Sequence, residues 1–196
     1  MNRLNVDGRG ELLGEFKGDD LLLVVDQKGK VKTIPPDLLT RFDDTLVVLE
    51  KWKPQKPLSV VHYEGEKERY YVKRFLVENS NREEMVISEH PKSFMELVST
   101  DWRPVIEIEF VKPRGKDPKP NQSVDLENFI SIKGIKALGN QLSSEKIKNI
   151  NRLEPLPYEE PQEKVPEEIE VVDEEALEAE SKKKSQNDDS DQPKLF

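Results

Sequence analysis

Gly18-Asp19-Asp20-Leu21-Leu22-Leu23-Val24-Val25-Asp26-Gln27-Lys28-Gly29-Lys30-Val31-Lys32-Thr33-Ile34 is the stretch whose reading decides the fold class. The unbroken apolar run at 21–25, bounded by turn-forming residues, reads as a buried strand. Gly29 supplies the positive φ of a short hairpin loop. In the returning strand Val31 and Thr33 alternate with Lys30 and Lys32, so one face is apolar and the other turns its ammonium groups to water. The stretch predicts a β-hairpin with a cationic lip.

The same pattern recurs outward from it. Residues 45–52 follow Phe42-Asp43-Asp44 as residues 21–25 follow Gly18-Asp19-Asp20. Asp side chains bond the neighbouring backbone, so both acidic pairs read as turn formers rather than Mg²⁺ ligands. With a strand at 11–16, after a leader at 1–10, four short strands fill a first unit at 11–56. A second unit, 57–103, has strands at 58–63 and 69–77 about Glu64-Gly65-Glu66, then at 85–88 and 93–100; its Tyr70-Tyr71 pair contributes at least one ring to the core. A third, 104–153, opens at 105–111, where Ile106, Ile108 and Phe110 alternate with Glu107 and Glu109. After a proline-containing loop at 112–121, residues 129–140 predict a tighter hairpin turning at Lys133-Gly134. Residues 143–150 read equally as a short helix or a last strand. Units of this length fit the ~40–50-residue blade period of propellers, although a β-sandwich spaces its strands similarly.

Composition places the charge. Of 40 acidic and 31 basic residues, 15 and 5 fall in residues 154–196, leaving 25 and 26 in the body. The formal net charge of −9 therefore belongs to the tail, and it does not argue against nucleic acid as a partner of the body. Pro155, Pro157, Pro161 and Pro166 among runs of Glu leave residues 154–196 unable to build a core, so a disordered acidic tail is expected. The chain has no Cys, which excludes disulfides and thiolate chemistry and suits a reducing compartment. No apolar run approaches the ~18 residues of a membrane span, and the first residues lack a signal-peptide core, so the expected location is cytoplasmic.

Enzyme motifs are missing: there is no P-loop, dinucleotide fingerprint or paired-His zinc motif. His62 and His90 lie in different units, and a hydrolase built on either lacks the neighbours that hydrolysis requires. The cations carry more. Lys28, Lys30 and Lys32 belong to the first hairpin, and Lys51 and Lys53 to the first unit's exit. Lys73 and Arg74 lie in the second unit, Lys112, Arg114 and Lys116 in the loop, and Lys133 and Lys136 in the third hairpin. Equivalent strands would line these groups up as a track for phosphates; ordinary solvated strand faces are the bland alternative. Aromatic residues do not interleave with them, so the nucleic acid expected is duplex, held through its backbone.

Three stretches carry a resemblance: Gly10-Glu11-Leu12-Leu13-Gly14-Glu15-Phe16-Lys17-Gly18-Asp19-Asp20, Tyr71-Val72-Lys73-Arg74-Phe75, and Ile132-Lys133-Gly134-Ile135-Lys136-Ala137-Leu138-Gly139-Asn140-Gln141-Leu142. With Leu153-Glu154-Pro155-Leu156-Pro157-Tyr158 and the acidic tail, the chain resembles the C-terminal region of the DNA-cleaving subunit of bacterial type IIA topoisomerases, topoisomerase IV and gyrase. The resemblance implies an all-β fold, a partial β-pinwheel of about three four-stranded blades followed by the disordered tail. It implies a non-catalytic part of the enzyme that bends or presents duplex DNA for strand passage and decatenation. Mg²⁺ and ATP would belong to other domains and to the separate ATPase subunit, with no cofactor in this chain and no catalytic role for its four Tyr residues. The Gln-Arg-Arg-Gly-Gly run that gyrase uses for wrapping is lacking, which points to a topoisomerase IV-like subunit. Three units are fewer than a full pinwheel needs, so the chain is expected to be the C-terminal portion of a longer subunit. The implied partners are duplex DNA, the remainder of the DNA-cleaving subunit and the ATPase subunit.

The terminal Gln192-Pro193-Lys194-Leu195-Phe196 resembles the short peptide by which bacterial proteins dock on the replicative sliding clamp, with Gln192, Leu195 and Phe196 as its contacts. The rival reading is a propeller-like protein-interaction scaffold with a disordered adaptor tail and no DNA contact. The two differ on whether Lys28, Lys30, Lys73, Lys133 and Lys136 share one face.

Overall fold

Leu22–Asp26 and Lys30–Ile34 pair antiparallel, with Leu22 opposite Ile34 and Val25 opposite Val31. Gly29 takes φ +77°, and the Asp26 side chain accepts from the backbone N–H groups of Lys28 and Lys30 at 2.9 Å each. The opening hairpin is formed as its residues require. This computed structural model describes residues 2–7, 10–80, 82–115, 117 and 119–158.

In chain order the strands are β1 (Asn2–Arg3), β2 (Leu22–Asp26), β3 (Lys30–Ile34), β4 (Arg41–Phe42), β5 (Leu46–Lys51), β6 (Leu58–Glu64), β7 (Arg69–Phe75), β8 (Glu84–Met85), β9 (Phe94–Ser99), β10 (Val105–Phe110) and β11 (Gln122–Asp125). A single-turn helix α1 (Leu126–Phe129) follows, then β12 (Asn140–Gln141) and β13 (Ile147–Arg152). The fold is all-β. Three antiparallel sheets have the orders β5-β2-β3-β8, β9-β6-β7-β12 and β13-β10-β11, beside a small β1-β4 pair.

Each sheet is one plan repeated. A hairpin is followed by a strand that returns to pair with the hairpin's first arm. The return pairing slips register once in each sheet, at Val25/Asp26, Val61/His62 and Glu109/Phe110, a bulge that increases local twist. The fourth strand is borrowed. β8 lies in the second expected unit but completes the first sheet, and β12 lies in the third but completes the second. Each sheet thus takes three strands from its own unit, and the first two reach four with a strand lent by the next unit. The lent pieces are only two residues long, too short to show a period. Val86, just after β8, holds the first of them in place: it is buried and donates its N–H to Gly29 O at 2.9 Å.

The second sheet sits between the other two. Leu58, Val60 and Phe75 pack with Leu23, Val25 and Val31 of the first sheet. Val61 and Val72 pack with Ile106, Ile108 and Phe110 of the third. Burying each such side chain contributes about 1.5–3 kcal/mol. Burial therefore runs almost unbroken along β6 and β7, whereas β3 alternates. The outward face of the first sheet, Leu22 and Val24, is covered by Phe42, Leu4, Leu13 and Phe16.

Two local expectations are overturned. Residues 11–16 form no strand, because Gly10 and Gly14 take φ +96° and +104° and break the extended chain; the segment works instead as a lid of Leu13 and Phe16. The segment 129–140 forms no hairpin. Its first residue, Phe129, closes α1, which opens with the Asp125 side chain accepting from the Glu127 N–H; the rest is a connector beside β7, with Lys133 N–H donating to Arg74 O and one turn closed by Ala137 N–H to Gly134 O. Its carbonyls are taken by other elements: Ile135 O and Ala137 O accept from Lys73 Nζ at 2.7 and 3.3 Å, and Leu138 O accepts from His62 Nε2 at 3.1 Å. Gly139 approaches β7 so closely that a Cβ there would collide with Val72 O. β11, with Val124 its only apolar residue, was not anticipated. The open reading at 143–150 resolves as a strand, β13. At the other boundary the chain stays docked past Leu153: Leu156 N–H donates to Arg103 O, and Tyr158 stacks on Trp102 at 4.7 Å. Among the described residues no helix is long and apolar enough to cross a membrane.

Candidate nucleic-acid interface

The first sheet's alternation places its lysines. Val31 and Thr33 are inward and buried, so Lys30 and Lys32 stand on the outward face. Lys28, on the exposed turn, and Arg41, from β4, complete an open groove of about 320 Å³ over Val24 and Phe42, walled by Thr40 and Thr45. Its acids are Asp26, Asp43 and Glu83. Arg41 is a cation that sequence reasoning passed over, since a lone Arg between turn residues carries no pattern. Glu83 lies between Lys30 Nζ and Lys32 Nζ, at 3.1 and 3.0 Å. Hydrogen bonds from Lys32 and then Lys30 hold its carboxyl below the usual range, and the same bond to Glu83 raises Lys30.

The third unit reaches the same edge. Lys136 Nζ lies 3.6 Å from Glu84 on β8, and Lys133 is exposed, donating to Asn140 Oδ1 at 3.0 Å. The chain thus brings Lys30, Lys32 and Lys136 to two consecutive acids, Glu83 just before the edge strand β8 and Glu84 in it. Lys112 and Arg114 are exposed on the loop before β11, and Lys116 lies outside the described residues. Lys53 is exposed. Lys51 is held at 2.6 Å by Asp20 and at 3.0 Å by Glu15 O, which ties the N-terminal lid down.

Two of the expected cations are not on any rim. Lys73 is 3% exposed and Arg74 4%. β7 lies between two sheets, so consecutive cations enter opposite buried interfaces: Lys73 binds the connector's carbonyls, and Arg74 donates to Trp102 O. Burial, with the charge of Lys136 behind it, pulls the Lys73 ammonium down to about 8. His62 is likewise buried, and burial lowers it so that it stays neutral while bonded to Leu138. His90 is exposed, its Nδ1 accepting from Lys92 N–H. The acidic pairs turn the chain: Lys17 N–H donates to Asp20 Oδ2, and Leu46 N–H to Asp43 O. Among the described residues no group of three or more metal-ligating side chains converges.

A second surface feature had no sequence signal. Tyr63, Tyr70 and Phe94 come from three strands and meet with ring centroids 5.1–6.2 Å apart. Phe94 is 43% exposed. Gln192, Leu195 and Phe196, the expected clamp contacts, lie outside the described residues.

Residues 3–154 match the family model described as topoisomerase C-terminal domain, Bacteroidota. No curated protein and no solved structure matches the chain.

Proposed function

Because the chain belongs to the topoisomerase C-terminal domain family of Bacteroidota, we propose that it is a non-catalytic, duplex-DNA-binding portion of a topoisomerase IV-like DNA-cleaving subunit, with a pinwheel-like arrangement of its sheets. In this reading it bends or presents a DNA segment for ATP-dependent strand passage and decatenation by the rest of the enzyme. The observation that supports this best is the clustering of Lys28, Lys30, Lys32 and Arg41 on the first sheet's outward face, with Lys136 reaching the same edge from the third unit. Ammonium groups along a strand face suit phosphates and carry no base readout. Lys112, Arg114, Lys116, Lys133 and Lys53 extend the proposed contact surface; Lys73 and Arg74 leave it. The remainder of the DNA-cleaving subunit, the ATPase subunit and, through Gln192, Leu195 and Phe196, the sliding clamp are the proposed protein partners.

The test is a duplex titration over a salt series. Affinity is expected to fall steeply and linearly in log[salt], with a slope of roughly −0.9 for each phosphate neutralised, and to be nearly indifferent to sequence. No binding at low salt, or affinity independent of salt, would overturn the reading. The aromatic row Tyr63–Tyr70–Phe94 favours one second reading, a protein-docking scaffold, since exposed clustered aromatics anchor protein interfaces. That reading predicts that Phe94→Ala weakens capture of the rest of the DNA-cleaving subunit while leaving the duplex titration unchanged.

A further inference from the structure

Glu83 stands where a ligand of Lys30 and Lys32 would stand. Its two carboxylate oxygens are divided between the two ammonium groups, Oε2 to Lys30 and Oε1 to Lys32, the arrangement that two lysines on one strand face offer to a phosphate. The carboxylate is positioned by its backbone on both sides. Upstream, Thr33 Oγ1 donates to Ser80 O and accepts from Ser80 N–H, both at 3.1 Å. Downstream, Met85 pairs with Lys30, and Val86 N–H donates to Gly29 O. Neighbouring side chains of an extended segment point to opposite faces, so Glu84 turns to the other side of β8 and meets Lys136. The lent strand and the residue before it therefore present carboxylates to three of the cations proposed to bind DNA.

We infer that Glu83 occupies, in the DNA-free protein, the place of a backbone phosphate between Lys30 and Lys32, and that duplex must displace it to bind. This rests on the DNA-binding reading of the same face and adds its regulation. Displacement leaves an unpaired carboxylate beside the phosphates, so Glu83 weakens binding and keeps the contact exchangeable. It also alters ion release. The phosphates lose their condensed cations in either case, but the carboxylate freed from the two lysines takes up a cation, so the net release is smaller by about one. Removing its charge is therefore expected to strengthen binding and to steepen the salt dependence together.

The experiment compares the full chain, Glu83→Gln and Glu68→Gln against one mixed-sequence linear duplex. Glu68 pairs with Lys92 at 3.4 Å on the second sheet's hairpin turn, so its variant changes net charge equally, away from the groove. Glu83→Gln is expected to tighten duplex binding about fivefold at low salt. It should also steepen the slope of log K against log[salt] by about one, a readout that a change in stability would not move. Glu68→Gln is expected to do neither. A fourth protein carrying Lys30→Gln and Lys32→Gln separates the failures. If it binds weakly while Glu83→Gln behaves like Glu68→Gln, the displacement inference falls and the DNA reading stands. If it binds duplex as the unaltered chain does, this face is not the DNA site, and the inference falls together with the assignment of the site to this face.

Discussion

β3 and β7 are the same strand of successive units. Each is the second arm of a hairpin, each accepts a borrowed two-residue strand, and each carries a pair of cations, β7 with a further one, Arg69, at its exposed start. Their fates are opposite. In β3 the cations are spaced by one residue, Lys30 and Lys32, and share the outward face of the first sheet. In β7 they are adjacent, Lys73 and Arg74, so they point to opposite faces of a sheet covered on both sides. What a strand cation does is set by its spacing and by the number of sheets stacked against it. Lys30 is an outward-facing group held by a carboxylate; Lys73 is a clamp that ties a connector to the sheet.

The sharpest way to break that contrast is to truncate the clamp. Lys73→Ala removes the donor to Ile135 O and Ala137 O and leaves a void over Phe75, whose ring lies 5.5 Å from the ammonium. Orphaned buried carbonyls and a cavity together are expected to cost roughly 2–4 kcal/mol, read as a lower urea midpoint. A loss below about 1 kcal/mol would mean that the connector is held elsewhere and that β7's cation is no clamp.

The contrast also marks where the sequence was legible. The hairpins β2–β3 and β6–β7 and the strand β10 were readable because each joins a run of β-rich residues to a turn residue with its own backbone requirement, such as Gly29. Burial of Val31 and Thr33, with Lys30 and Lys32 outward, followed from alternation alone. The connector at 130–139 was misread because Ile130, Ile132 and Ile135 look strand-like, while the groups that claim its carbonyls, His62 and Lys73, lie some 60–75 residues away. The borrowed strands were invisible for the same reason: Glu84–Met85 is a strand only because Lys30 and Val31 offer an open edge. Arg41 and Glu83 complete the candidate site through tertiary placement, and no local spacing announces either. The family resemblance supplied what pattern could not, the class of protein. It also carried over a cationic motif, Lys73-Arg74, whose residues serve packing.

A smaller effect sharpens the comparison by pH. In the folded chain Lys73 loses its proton at about 8, against 10.5 when exposed. Between those values the unfolded chain binds more protons, so stability rises with pH through this window and the penalty is fully present below it. At a fixed urea concentration the unaltered chain is expected to gain roughly 1–2 kcal/mol between pH 8 and 9.5, and Lys73→Met, which has no proton to lose, is expected to gain none. His62 does not confuse the window, because burial lowers its pKa from 6.5 and it is already neutral; its own effect is a loss of stability as pH falls below that value. Parallel profiles for the two proteins would place the Lys73 ammonium in water and erase the distinction from β3.

The smallest effect on folding is expected at Lys30, and its smallness is the point. Lys30 is 44% exposed at the side chain and its partner Glu83 47%, so their ion pair is screened and its loss is offset by released side-chain freedom. Lys30→Ala is therefore expected to leave the urea midpoint where it was, while weakening duplex binding measurably at low salt. The opposite outcome, a shifted midpoint with DNA affinity intact, would make Lys30 a structural group like Lys73. The spacing rule would then fail at the strand from which it was drawn, because a cation's face in the isolated sheet would no longer say whether it serves the fold or the ligand.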